Sequence, residues 1–145
     1  MGYPPLRKFN TEAEYREYFG QKYCISPLLT HDGIPVRFTK RDFDHAFYTS
    51  ARSAKPDKSI FSFERAERID LIEAVLQDSS ASLHCGWDNK RKIADPTRRV
   101  AIGKGNYIVI IQIMKSGEAR FITAFPAKGY RTVLKISGNP KWQQI

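Results

Sequence analysis

At 145 residues, 41% of them apolar and 12% aromatic, the chain is long enough to bury a core without disulfides or a metal, and too apolar to be disordered over most of its length. No apolar run approaches the roughly eighteen residues of a membrane span, and the two cysteines, Cys24 and Cys85, lie outside any CxxC or zinc-finger spacing, which points away from a disulfide framework or structural zinc. The formal net charge of +9 belongs entirely to residues 79–145, where twelve Lys/Arg face only Asp88, Asp95 and Glu118, while residues 1–78 balance twelve against twelve.

A half-chain this basic presents a positive field, and a polyanion, RNA foremost, explains it better than a solubility device. The opening Met1-Gly2-Tyr3-Pro4-Pro5 lacks a signal peptide's apolar core. The expected setting is therefore the cytoplasm, or a target cytoplasm into which the chain is delivered. One domain is expected over 1–145: an N-terminal helix and connection to 38, a core over 39–126 and a basic tail over 127–145.

Thr11-Glu12-Ala13-Glu14 has the form of a capping box and predicts a helix over about 11–20. Pro27, Gly33 and Pro35 mark 21–38 as an irregular connection. A second helix is predicted from Thr39 to about Arg52, with Phe43, Ala46 and Phe47 inward and Arg41, His45 and Arg52 on the opposite flank. A third, capped by Ser62, is predicted over about 63–78 with Ile69, Ile72, Val75 and Leu76 buried. Arg65 falls in line with that apolar stripe, and Arg68 sits at its edge.

After Asp78 the apolar period changes to two. Strands are predicted at 82–87 and 98–102, around a basic loop or strand pair with Lys90, Arg91 and Lys92. Tyr107–Met114 is apolar on both faces, as a central covered strand is. Ser116-Gly117 predicts a tight turn, with Ala119–Phe125 returning antiparallel, Ile110 opposite Thr123 and Gln112 opposite Phe121. The tail predicts an edge strand at 130–136. The fold class is thus α+β, with N-terminal helices packed on a four- to five-stranded antiparallel sheet.

Few residues suit chemistry. His45 titrates near neutrality and can take or give a proton. His31 lies in a loop, and His84 in a strand beside Cys85. Arg65 cannot shed its charge, so on an apolar stripe it requires an anion, either a buried carboxylate or a phosphate. Thr123 and Gln112 offer neutral donors suited to a phosphoryl oxygen. Trp87 or Tyr107 could stack a base, though both also suit a core. No P-loop, GxGxxG, HExxH or GxSxG occurs, and carboxylates are too scarce in the basic half for two-metal chemistry.

Four segments within residues 39–126 carry a resemblance. They are Thr39-Lys-Arg-Asp-Phe-Asp-His45-Ala-Phe47, Phe61-Ser-Phe-Glu-Arg65-Ala-Glu-Arg68-Ile69, and the strands Asn106-Tyr-Ile-Val-Ile-Ile111 and Phe121-Ile-Thr123-Ala-Phe-Pro126. Together they resemble the phage- and polymorphic-toxin-associated nucleases of the barnase–EndoU–colicin–RelE-like fold. The resemblance implies helices on an antiparallel sheet and a metal-independent endoribonuclease, often one acting on tRNA, that cleaves by attack of the ribose 2′-hydroxyl. It implies no cofactor, with His45, Arg65, Arg68 and Thr123 as catalytic residues. Arg41, Arg52, Lys90, Arg91, Lys92, Arg98, Arg99 and Lys128 would grip the nucleic-acid backbone. A second acid–base group would have to be Lys128, His84 or Tyr130. An acidic immunity protein or antitoxin would be a further partner. The competing expectation is a non-catalytic nucleic-acid-binding module of phage origin, because the fold also hosts binding proteins.

Overall fold

The computed structural model describes residues 2–49 and 60–143. Helix α1 spans Glu12–Tyr23, and the Thr11 hydroxyl oxygen accepts from the Glu14 amide at 3.2 Å, the cap expected from the sequence. Its inward residues Tyr15, Phe19 and Tyr23 are buried. The connection that follows is not wholly irregular: Leu28–Leu29 forms β1 and Pro35–Arg37 forms β2.

Helix α2, Asp42–Phe47, is shorter than predicted. Phe43, Ala46 and Phe47 are buried as expected, but Tyr48–Thr49 turns extended as β3 and pairs with β4, Ile60–Phe61. The third predicted helix is two, α3 at Phe63–Ala66 and α4 at Leu71–Leu76. The cause is Tyr23. Its hydroxyl donates to the Ile69 carbonyl at 2.6 Å and accepts from the Glu73 amide at 3.3 Å, standing inside the backbone ladder that would have joined the two helices.

Strands β5 (Ser82–Asp88), β6 (Ile93–Ile102), β7 (Tyr107–Ile113) and β8 (Ala119–Pro126) then run antiparallel in sequence. Among the described residues the main sheet has six strands in the order β1-β2-β8-β7-β6-β5, and β2 joins β8 in parallel. The α+β class holds, but the sheet is mixed and larger than the antiparallel four or five strands expected. Ile110 lies opposite Thr123 as predicted, whereas Gln112 pairs with Arg120 rather than Phe121, because a bulge at Ile110/Ile111 absorbs one residue.

One sheet face carries the main core. There Val109, Ile111, Phe121 and Ala124 meet Tyr15, Phe19, Phe43, Phe47, Ile72 and Leu76. The other face is covered over Val100, Ile102 and Ile108 by Val133 and Ile136. Those two belong to α5, Tyr130–Ser137, a helix where the sequence suggested a strand. Alternation and a spacing of three both fit this segment, and contact with the second apolar face selects the helical one. No helix among the described residues is long and apolar enough to cross a membrane.

Candidate active site

Strand β2 pairs with β8 only at Ala119 and Arg120. Beyond them α2 and α3 approach the outer side of β8, and the candidate residues gather there. The Thr123 hydroxyl donates to the backbone carbonyl of His45 at 3.0 Å, tying the last turn of α2 to the strand. Two residues on, the Phe125 ring lies beneath Arg65, with 5.5 Å from guanidinium carbon to ring centroid. The His45 main chain and the Arg65 guanidinium are thus anchored two residues apart on one strand, though they come from different helices, while the His45 side chain lies near Asp42.

Ser62 caps α3 by accepting from the Arg65 amide at 3.2 Å, which fixes the backbone of Arg65. The guanidinium itself is half-buried. Burial makes its protonated form less favourable, and only Tyr107 and Glu64 oppose that. Among the described residues no carboxylate forms an ion pair with the guanidinium and no acceptor hydrogen-bonds to it, and Glu64 acts on it only at longer range. The Tyr107 hydroxyl is fully buried, also without a partner, and near enough to feel both Arg65 and Arg68. Its own proton is held well above the ordinary phenol range by desolvation. The burial of Tyr107 removes it as a base-stacking residue.

Arg68 donates to the Glu64 carbonyl, and Lys128 stands 3.6 Å from the Glu64 carboxylate, exposed at the mouth of the same region. Tyr130, 72% exposed, opens α5 just beyond the end of β8. At the other end, Asp42 accepts from the Thr39 amide at 2.8 Å. Burial pushes the Asp42 carboxyl up, against that amide and the nearby His45 and Arg120. Arg120 is therefore close to α2, a cation the sequence reading had passed over. Only its register opposite Gln112 would have revealed it.

Other expected residues fall elsewhere. Arg99 is 1% exposed, paired with Asp32 at 3.1 Å and packed over Trp142, so it is an interior residue and not a surface cation for nucleic acid. His84 is buried on β5, with Ser82 Oγ 2.7 Å from its Nε2, far from β8 across the sheet. The hydroxyl proton of Thr123 goes to His45, so it is not free to donate to a phosphate. Lys90, Arg91 and Lys92 form the exposed β5–β6 turn, beside half-exposed Trp87. That turn lies at the end of the sheet opposite Tyr107, and the length of β5, seven residues, separates the two by about 20 Å. Arg41 is exposed at the start of α2, and Arg98 is half-buried against Gln112. Arg52 lies outside the described residues. A groove of about 680 Å³ beside α1, lined by Arg16, Phe19, Cys24 and Lys40, contains none of the candidate residues.

No protein-family model, curated protein or solved structure matches the chain.

Proposed function

We propose that the chain is a metal-independent endoribonuclease of toxin type, with a fold of the barnase–EndoU–colicin–RelE-like kind and tRNA among its targets. The observation that carries this reading is Arg65. A half-buried guanidinium without an anion is costly to the fold, and its place beside Arg68, Lys128 and a buried phenol suits a phosphodiester. A charge held ready in a partly desolvated site stabilises a developing phosphorane more strongly than one in water. His45 exchanges protons with the 2′-hydroxyl or the leaving 5′-oxygen, and Thr123 positions it by holding its backbone carbonyl. Lys128 or Tyr130 serves as the second acid–base group. The expected setting is a cytoplasm, with an acidic antitoxin or immunity protein as the controlling partner.

Incubation with total tRNA in EDTA tests the proposal. Discrete fragments with cyclic phosphate ends are expected, lost in Arg65→Ala and in His45→Ala while the circular dichroism spectrum is kept. The second reading, a binding module without catalysis, draws on the commitment of the Thr123 proton to His45. RNA bound tightly and recovered intact would favour it.

A further inference from the structure

The sheet register sets four polar side chains in single file across four strands. Arg37 of β2 pairs with Arg120 of β8, Arg120 with Gln112 of β7, and Gln112 with Arg98 of β6. Residues paired across strands point to the same face. Their chain neighbours Val36, Ala119, Phe121 and Ile111 are buried in the main core, so the row stands on the opposite face. Among the described residues the apolar cluster that α5 covers on that face lies further along the strands, at Val100, Ile102 and Ile108 with Ile110 and Phe125 partly buried beside them.

The row is built, not incidental. Beside it on β5 stands Gly86, where a Cβ would come within 2.6 Å of Arg98 Cγ, so the Arg98 side chain lies flat along the sheet because that position has none. Gln112 accepts from Arg98 Nη2 at 3.5 Å and donates to Thr97 Oγ1 at 2.6 Å, which orients it. Like charges directly opposite one another weaken a sheet, yet Arg37 and Arg120 are such a pair. Glu118 neutralises Arg37 at 2.6 Å. The exposed Arg120 guanidinium has no ion pair or hydrogen bond among the described residues. Asp42 lies within electrostatic reach of Arg120 and Asp95 of Arg98, but neither forms an ion pair with its arginine among the described residues, so both guanidinium groups keep donors for an anionic ligand.

We propose that this row is a phosphate track for a single RNA strand, leading the strand's flank away from the bond cut at Arg65. Adjacent strands lie about 4.8 Å apart, so the arginines stand about 5 and 10 Å from one another in one line. That line fits one sugar–phosphate chain and not the two rows of a duplex. Arg120 lies five residues before Phe125 on β8, roughly 16 Å from the Arg65 contact, which makes track and cleavage site continuous. The assignment of the cut end rests on the ribonuclease reading; the track itself does not require cleavage.

Fluorescence anisotropy with a labelled twelve-nucleotide 2′-O-methyl RNA, which cannot undergo 2′-hydroxyl attack, separates binding from cutting. The Arg98→Gln/Arg120→Gln variant is expected to bind about tenfold more weakly, and its log-affinity against log-salt slope to shrink by about 1.4, the share of two phosphate contacts on a single strand. Arg120→Gln alone, at an exposed site, should lose half that slope and guards against local misfolding at Arg98, whose Nε is buried. Unchanged affinity and slope in both variants overturns the track whatever the cleavage assay shows, as does a duplex that competes equally well. Weakened binding in a chain that cuts no RNA supports the track and removes the ribonuclease.

Discussion

Arg65 rests its guanidinium on the Phe125 ring at 5.5 Å, and no hydrogen bond or ion pair to that guanidinium occurs among the described residues. Interior arginines normally meet a carboxylate, as Arg99 meets Asp32 here. The two arginines differ in that Arg99 is paired with a carboxylate and Arg65 is not.

Arg65→Met keeps the length of the stem and removes an unpaired, half-buried charge. Stability in urea should stay level or rise by about 1 kcal/mol, while cleavage is abolished and RNA binding weakens. A fall of several kcal/mol would mean that the guanidinium supports the fold and not a ligand.

Arg99→Gln should behave in the opposite way. It strands Asp32 and loosens the packing on Trp142, at a cost of about 3 kcal/mol, with RNA affinity unchanged for the folded fraction. Thermal unfolding and anisotropy on the same preparation compare the two arginines directly.

Tyr107→Phe removes a buried hydroxyl that has no partner. Relieving an unsatisfied group should raise stability by about 1 kcal/mol. A loss of similar size in urea unfolding would count against the unpartnered hydroxyl.

Thr123→Val deletes the bond to the His45 carbonyl. The expected cost is about 1 kcal/mol, with a lower cleavage rate because α2 loses its tie to β8. Thr123→Ser keeps the hydroxyl and should restore both. Rate restored without the melting temperature would contradict a positioning role.

Acid sensitivity should come from Asp70 and Asp78. Asp70, 6% exposed, accepts from Arg7 at 2.7 Å, from Lys22 at 2.8 Å and from Tyr18. Despite its burial, these bonds hold its carboxyl below the ordinary range. Hydrogen bonds from Ser80 and Tyr3 bring Asp78 down to about 2. A depressed carboxyl stabilises the fold fully above its unfolded value, near 3.9, and that share is lost as pH falls through the folded value. Stability should therefore decline from about pH 4 towards pH 2. Asp70→Asn should flatten that decline; an unchanged acid profile in this variant would refute the assignment.

Local chemistry was legible from the sequence alone. Thr11 and Ser62 cap helices because a hydroxyl beside free amides needs only three residues of context. The switch from a helical to a two-residue period marked the sheet, but the pairs beside the Ser116-Gly117 turn sit one residue off the expected register, and Ile110 meets Thr123 because the bulge at Ile110/Ile111 restores it. Arg65 stood out because a charge interrupted an apolar stripe. Tertiary structure decided what depends on distant partners. Tyr23 breaks a helix 46 residues away in sequence, and Asp32 claims Arg99 across 67. A three-residue β2 joins a strand whose register brings Arg37 to Arg120. Periodicity and caps record how a segment meets water and its own backbone. Which buried group satisfies which is settled only when the chain closes on itself, and so is the line of arginines on the open face.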